Sequence, residues 1–372
     1  MSQPKSSQMK PDKVEAALRT LAWKDAMALP RAIRSTLEQA TGFSAVTEFL
    51  GQPHVRRIVA AGNGASYYVA LSLALAANAS GAGPQVVAVP AGLLVPGRFH
   101  WRDGDVLLAL SSSGELTDLI TGPPLIGAGA FAAITSTVGS TLHRGAAAAA
   151  VVRSFDQRSL THTQTYCGAV VAALAIWTHL IGDGALREQV ALAPDIVEKA
   201  LGDAWPFVSS LDLRTTPSSA VAMGSGVAWA AALETALLLK EVSGVPGEGV
   251  ETREGATSAM FALTSNSLVI SIDTPGDAQL MEAETSCASM GAKLVRIPAP
   301  IALSQCLAPI WSFPYSLALA LYFAEIADRD PDDPPWARAY LATVRPPSGE
   351  GRTIETEVQS TGQRAKGADR GA

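Results

Sequence analysis

The most chemically suggestive stretch of the sequence is a run of hydroxyl side chains after a short apolar segment. The apolar segment begins at Val106, and the hydroxyls that follow it belong to Ser111, Ser112 and Ser113. A phosphate group needs several hydrogen-bond donors that converge without bulky side chains, and Gly114 lets the backbone turn closely around it. Serines before a helix are also typical caps, so phosphate binding and simple capping both remain open from these residues alone.

A second turn of the same kind follows the apolar segment that begins at Val59. It has glycines at Gly62 and Gly64 and a hydroxyl at Ser66. Short apolar runs that alternate with helical periodicity predict an α/β fold, with a parallel sheet covered by helices on both faces. Such sheets bind ligands at the carboxyl ends of their strands, so we expect both turns, 62–66 and 111–115, to point to one site.

The chain repeats itself with an offset of 162 residues in three places. The matching segments begin at Val59 and Val221, at Val106 and Leu268, and at Gly129 and Gly291. Three matches in the same order predict two tandem copies of one α/β unit. The second copy has Asp273 and Pro275 where the first has serines. A carboxylate repels phosphate and proline lacks an N–H, so we expect one phosphate site, in the first copy.

The repeat and the composition between the copies divide the chain into four parts. We place the first domain at residues 41–185 and the second at 200–344, after a helical N-terminal segment at 1–40. The remaining residues, 345–372, are polar and rich in glycine. This composition predicts a disordered tail.

Charge and composition exclude several classes of protein. The 372 residues carry a formal net charge of −6 and only 17% are charged, which argues against a nucleic-acid partner because such proteins have a basic face. Three distant cysteines fit no disulfide framework and no metal motif, so no metal site is expected. Residues 1–13 have no apolar core, and the apolar stretch 168–181 is short for a bilayer. These features predict a cytoplasmic protein without a membrane partner.

Three motifs taken together resemble a known family. They are Gly64-Ala65-Ser66, Ser111-Ser112-Ser113-Gly114-Glu115, and the segment from Ala232 to Ser243 that contains Leu239-Lys240-Glu241. They are similar to the sugar isomerase (SIS) domain, in the tandem arrangement of the isomerase half of glucosamine-6-phosphate synthase. The resemblance implies two domains, each a parallel five-stranded sheet flanked by helices. It also implies a homodimer and a ligand of the hexose or hexosamine 6-phosphate class, with no cofactor.

Glu241 is the first candidate for catalysis. Interconversion of an aldose phosphate and a ketose phosphate moves a proton between C1 and C2, and a carboxylate in a partly dry cleft can carry that proton. In the family that this chain resembles, the glutamate of the Leu-Lys-Glu motif is assigned that role. The alternative is a salt bridge at the helix end with Lys240 or a neighbour.

His162 is the second catalytic candidate. The stretch 160–166 resembles the family loop that touches the sugar, which implies contacts from His162, Thr163 and Gln164. Histidine titrates near working pH, so His162 is suited to transfer the proton of ring opening, although a structural role is the alternative. We also expect Thr117 to supply a hydroxyl, because Leu116 stands where the family has serine or threonine.

Other positions depart from the synthase pattern. Thr257 falls where the synthase has a histidine for ring opening, and Ala339 where it has a lysine that forms a Schiff base. Ser2 stands where a glutaminase domain would need cysteine, so we do not expect a glutamine amidotransferase. The expected function is that of a phosphosugar isomerase or an amino-sugar-phosphate deaminase. A non-catalytic sugar-phosphate sensor and a purely structural protein are the alternatives.

Overall fold

The computed structural model describes residues 11–344, so the predicted disordered tail at 345–372 lies outside the described residues. Four helices precede the first strand: α1 Pro11–Leu18, α2 Leu21–Met27, α3 Leu29–Leu37 and α4 Ala40–Leu50. The Thr20 side chain caps α2 by accepting a hydrogen bond from the Trp23 backbone N–H. Pro30 lies in the first turn of α3, where its missing N–H costs nothing.

The first sheet has five parallel strands in the order β2-β1-β3-β4-β5. Its elements are β1 Arg57–Gly62, α5 Ala65–Ser80, β2 Gln85–Pro90, β3 Asp105–Leu110, α6 Thr117–Leu125, β4 Ala132–Thr135, α7 Thr141–Gly145, β5 Ala148–Val151 and α8 Gln164–Ile181. The central strands β1, β3 and β4 are almost wholly buried, which explains their unbroken apolar sequences. This sheet matches the prediction.

The second sheet also consists of parallel strands, in the order β7-β6-β8-β9. It follows α9 Gly184–Ala191 and α10 Ala193–Ser210. Its elements are β6 Ser219–Gly224, α11 Val227–Leu238, β7 Gly247–Glu251, α12 Thr252–Thr257, β8 Ser267–Ile272, α13 Ala278–Ser289, β9 Lys293–Ile297, α14 Ala308–Trp311, α15 Phe313–Ile326 and α16 Ala337–Val344.

The prediction of five strands in each sheet is wrong for the second one, which has four among residues 11–344. In place of a strand equivalent to β5, the chain forms α14 and runs into the buried helix α15. Pro309 and Pro314 lie in the first turns of these two helices. Proline is favoured there and would break a ladder of strand hydrogen bonds, so it selects the helix over the strand.

Three pairs of strands in the two sheets are spaced by 162 residues. The first residues of these pairs are Arg57 and Ser219, Gln85 and Gly247, and Asp105 and Ser267. Helices α5 and α11 follow equivalent strands and pack against each other. A continuous core of apolar side chains extends from the N-terminal helices through both sheets. This packing brings the carboxyl end of the first sheet next to the end of α11.

Two helical stretches have the length and hydropathy of a membrane span. They are Gln164–Ile181, of which 78% is buried inside the fold, and Gln305–Ile326, in which 94% of the most apolar 18-residue window is buried. The first of these helices begins four residues before the apolar stretch 168–181, so its length does not exclude a membrane span. Their burial is what is typical of the core helices of globular proteins.

Candidate functional site

A cavity of about 590 Å³ lies at the carboxyl ends of β1 and β3. Both halves of the chain form its wall, because residues of the first sheet meet the end of α11 and the start of α16 there. The predicted site residues that line it are Gly64, Ser66, Ser111, Ser112, Ser113, His162 and Glu241. The fold therefore brings together residues that lie as far as 177 positions apart in the sequence.

The serine turn after β3 is ordered by its own hydrogen bonds. The Ser111 hydroxyl accepts from the Gly114 N–H at 3.1 Å, and the Ser113 hydroxyl accepts from the Glu115 N–H at 3.2 Å. A serine oxygen that accepts a backbone N–H can still donate its own hydrogen to a ligand oxygen. The turn therefore suits an anion through hydroxyl donors rather than through these two backbone amides.

Gly114 is required by the conformation of this turn. Its φ is +66°, a left-handed value that side-chain-bearing residues rarely adopt. A Cβ at this position would also overlap the Ser140 side chain, which caps α7 by accepting from the His143 N–H. The serine turn can therefore lie close to Ser140 at the start of α7 only because residue 114 has no side chain.

Asn63 links the turn after β1 to the first turn of α6 and to the residue that follows β2, and sequence reasoning missed it. Its amide nitrogen donates to the Asp118 carboxylate at 2.8 Å, and its amide oxygen accepts from the Ala91 N–H at 2.9 Å. Asn63 also lines the cavity. The sequence did contain a signal for it. Asn63 lies between Gly62 and Gly64, directly after a strand, where an amide side chain can bond neighbouring segments.

The loop between β5 and α8 carries His162 into the cavity wall. The His162 Nδ1 atom lies 3.1 Å from the Thr165 hydroxyl, in a hydrogen bond whose direction depends on the imidazole tautomer. The loop is fixed from outside by Asp25, which is 5% exposed and accepts the backbone N–H groups of Arg158 and Ser159 at 2.8 and 2.7 Å. The Asp25 carboxylate therefore positions the loop by binding the backbone of the loop.

Three of the predicted contacts lie outside the cavity lining. Gln164 is fully buried, and its amide bonds the backbone of Phe155 and the carbonyl of Asp25. Thr163 is also fully buried at the start of α8. Thr117 is the first residue of α6. Of the predicted loop contacts, His162 lines the cavity, whereas the side chains of Thr163 and Gln164 are buried outside it.

Glu241 lies in a single π-helical turn, Leu239–Ser243, which continues α11. Burial raises the pKa of Glu241 from its usual value near 4.5 to about 7, and the neighbouring Lys240 ammonium acts in the opposite direction. A carboxyl group with a pKa near 7 can accept and return a proton at neutral pH. The predicted salt bridge of Glu241 is not among the ion pairs of residues 11–344.

Glu234 is a second carboxyl group in the cavity wall, two helical turns before Glu241. It is 4% exposed, and its Oε2 atom has no hydrogen-bond partner within the described part of the chain. Burial and the nearby Glu241 raise its pKa well above the usual value. Glu234 was part of the motif that carried the family resemblance, but no role was predicted for it.

The C-terminal segment closes another side of the cavity with Trp336, Ala339 and Tyr340. Ala339 places a methyl group where the resembling synthase has its lysine. Thr257 is the last residue of α12 and does not line the cavity. Among the described residues, the basic side chains in the lining are His162 and Lys240. Residues 11–344 contain no cluster of three or more side chains suited to hold a metal ion.

Comparison with curated proteins finds relatives of low identity. The chain is 24% identical over 253 residues to glutamine–fructose-6-phosphate aminotransferase (isomerizing) of Methanothermobacter thermautotrophicus, covering 66% of this chain and 41% of the relative. It is 22% identical over 321 residues to the enzyme of the same name of Sulfurisphaera tokodaii, covering 82% and 53%. The chain thus spans about half or less of the length of these relatives. No protein-family model matches it.

Solved structures match over most of the chain. Glucosamine-6-phosphate deaminase of Thermotoga maritima superposes with a TM-score of 0.72 and 17% identity, over 85% of this chain and 98% of that one. The C-terminal domain of glucosamine-fructose-6-phosphate aminotransferase of Francisella tularensis gives 0.72 and 18%, over 85% and 98%. This is the sugar isomerase fold. Tagatose-6-phosphate ketose/aldose isomerase of Escherichia coli shares the fold at 0.68 and 18%, over 85% and 96%.

These comparisons confirm the family resemblance that the motifs indicated. The relatives that match by sequence all carry the name of one isomerizing aminotransferase, and the structures that share the sugar isomerase fold include a deaminase and an isomerase. At these identities the structural matches establish the fold of the chain, and the chemistry of its own cavity must be argued from its residues.

Proposed function

We propose that this protein binds a sugar phosphate of the hexose or hexosamine 6-phosphate class and moves a proton between C1 and C2 of the open-chain sugar. The observation that carries the proposal is that the serine turn and Glu241 line one cavity. The product is either the isomeric sugar phosphate or, from an amino-sugar phosphate, a ketimine that water hydrolyses to the ketose phosphate and ammonia. In this view the similarity of this chain to the isomerizing aminotransferases concerns their isomerase half alone.

Each step of the proposed reaction has a candidate group in the cavity. The hydroxyls of Ser111, Ser112 and Ser113 hold the phosphate, together with Ser66 on the neighbouring turn. His162 transfers the proton that opens the sugar ring. The Glu241 carboxylate then takes the C2 proton, an enediol or enolamine forms, and the protonated Glu241 returns the proton to C1. Its pKa of about 7 makes both directions accessible near neutral pH.

A non-catalytic sensor of sugar phosphates is the second candidate. Ala339 favours it, because this residue lines the cavity but has no amine, and Thr257 with its hydroxyl lies elsewhere. These differences remove two groups used by the resembling synthase. They do not remove the carboxyl group that proton transfer between C1 and C2 needs, and for that reason we favour the enzyme. The proposal also includes a homodimer in the cytoplasm. Light scattering of the purified protein tests the homodimer.

The test combines ligand binding with exchange of the C2 proton. We expect hexose and hexosamine 6-phosphates to raise the melting temperature, because a ligand that binds the native state stabilises it. With a stabilising ligand in D2O, NMR should show loss of the C2 proton signal. Glu241→Gln should keep the thermal shift and lose exchange by a factor of about 10²–10⁴. Stabilisation without any exchange in the unmodified protein would establish the sensor instead.

A further inference from the structure

The helix that carries Glu241 is one residue longer than its counterpart in the first sheet. Helix α5 starts after Gly64 and ends at Gly81, whereas the equivalent helix starts after Gly226 and ends at Gly244. The two terminal glycines have the same left-handed conformation, with φ of 62° and 68°. The extra residue is accommodated by the π-helical turn Leu239–Ser243, in which the Gly244 N–H donates to the Leu239 carbonyl.

This π-helical turn ends the helix rather than interrupting it, and π-helical turns are frequent at functional sites. Here the carbonyl of Glu241 itself accepts a hydrogen bond from outside the helix. The donor is the indole Nε1–H of Trp336, at 3.0 Å and 95 residues away in sequence. Trp336 also lines the cavity that Glu241 lines.

We propose that Trp336 is a positioning residue for Glu241, a proposal that rests on the function proposed above. The indole N–H holds the Glu241 carbonyl while the ring forms part of the cavity wall. The direction of the Glu241 side chain is therefore set by the C-terminal segment as well as by its own helix. Nothing in the Leu-Lys-Glu motif encodes this contact.

The C-terminal segment is anchored firmly enough to act in this way. Both carboxylate oxygens of Asp332 accept from the Leu21 backbone N–H, each at 3.0 Å, at the start of α2. The rings of Trp336 and Tyr340 meet edge to face with centroids 5.8 Å apart. Trp336 is thus held by a polar contact before it in the chain and an aromatic contact after it.

The decisive variant is Trp336→Phe, which keeps an aromatic ring and removes the N–H. We expect the rate constant of C2 exchange to fall about three- to tenfold, the effect of one lost hydrogen bond, with KM changed less than twofold. Trp336→His retains a ring N–H and should restore part of the rate. Trp229→Phe is the matched control, since the Trp229 N–H is buried without a partner among the described residues and lies outside the cavity.

A second measurement does not depend on turnover. In protein labelled with ¹³C at the glutamate carboxyl groups, NMR should find the Glu241 titration midpoint near pH 7 and displaced in Trp336→Phe but not in Trp229→Phe. An unchanged midpoint together with an unchanged exchange rate in Trp336→Phe would overturn the positioning role. If the unmodified protein shows no exchange at all, the proposed enzyme fails, and the titration alone decides the role of Trp336.

Discussion

Gly64 and Gly226 precede the first helix of each sheet with nearly the same backbone, φ 54° and ψ −132° against φ 55° and ψ −131°. The side chains around the two turns differ. In the first sheet Asn63 links its turn to Asp118, while in the second the Ser225 hydroxyl donates to the Asp277 carboxylate and lies 2.7 Å from the Thr252 hydroxyl. The same backbone scaffold is thus kept by different hydrogen bonds.

The side chains available to a ligand differ more than the scaffold does. The first sheet presents three serines after β3, and the second presents Asp273, Thr274 and Pro275 after β8. In the helices the difference is reversed, because α11 and its π-helical turn carry Glu234 and Glu241, whereas α5 contains no acidic residue. The comparison indicates that one sheet supplies the serine turn and the other supplies the carboxyl groups of a shared cavity.

The largest expected effect, on ligand affinity, comes from exchanging the residue types at the equivalent positions 111 and 273. Ser111→Asp places a carboxylate in the turn proposed to bind phosphate. It removes one donor and adds repulsion of about 4 kcal/mol for unit charges 4 Å apart at a protein surface, so affinity should fall by more than about 10³-fold. The reciprocal change, Asp273→Ser, should leave affinity unaltered. Calorimetric titration with a stabilising sugar phosphate checks both, and equal losses in the two variants would contradict the division between the sheets.

The pH dependence of stability tests the carboxyl groups of the second half. Folding raises the pKa of Glu241 from about 4.5 to about 7, so the folded protein binds this proton more tightly than the unfolded chain does. The free energy of unfolding should therefore decrease as the pH rises from about 4.5 to 7, by about 3 kcal/mol for this group. Glu234 acts in the same direction.

Urea unfolding of the unmodified protein and of Glu241→Gln between pH 5 and pH 8 measures this effect. Glutamine has no proton to lose, so the variant should gain stability relative to the unmodified protein as the pH rises. Exchange at C2 should show the complementary dependence, since the ionised base is needed and the rate should rise through pH 7. A stability difference between the two proteins that does not vary with pH would count against the raised pKa.

Two glycines 162 residues apart allow the energetic cost of a left-handed backbone to be measured apart from the cost of steric crowding. Gly114 and Gly276 both have positive φ, of 66° and 82°, but only at Gly114 would a Cβ meet other atoms within 4 Å. Substitution by alanine should cost both positions about 1–2 kcal/mol for the left-handed backbone, and Gly114→Ala about 1–3 kcal/mol more for overpacking. Equal losses of unfolding free energy would show that Ser140 moves aside easily.

The smallest effect concerns the middle hydroxyl of each turn. The Ser112 hydroxyl lies 3.0 Å from that of Ser136, whereas the buried Thr274 hydroxyl has no partner among residues 11–344. Ser112→Ala should lower the free energy of unfolding by about 1 kcal/mol, and Thr274→Val should be neutral or slightly stabilising. Thermal unfolding without ligand measures both changes. A larger loss in Thr274→Val than in Ser112→Ala would reverse this part of the comparison.

The sequence determined the α/β class, the parallel first sheet, the two glycine-containing turns at its edge and the placement of Glu241 at the end of a buried helix. These features depend on local signals: apolar runs, glycines at turns and a motif within one helix. The fifth strand expected in the second sheet was wrong because the prediction carried over a family pattern and overlooked Pro309 and Pro314. The side chains of Thr163 and Gln164 lie outside the cavity lining, and the amide of Gln164 bonds the backbone of Phe155 and the carbonyl of Asp25 in α2, a contact between segments that the loop sequence alone does not report.

Only the tertiary structure decided which residues surround Glu241. Burial of α11 between the two halves raises the pKa of its carboxyl group, and no sequence pattern reports the loss of water around one side chain. The contacts of Asn63, Glu234 and Trp336 likewise arise where distant segments meet. Sequence specifies local conformation and apolar faces, while the charge state and orientation of a side chain depend on the three-dimensional environment that those faces create when they pack.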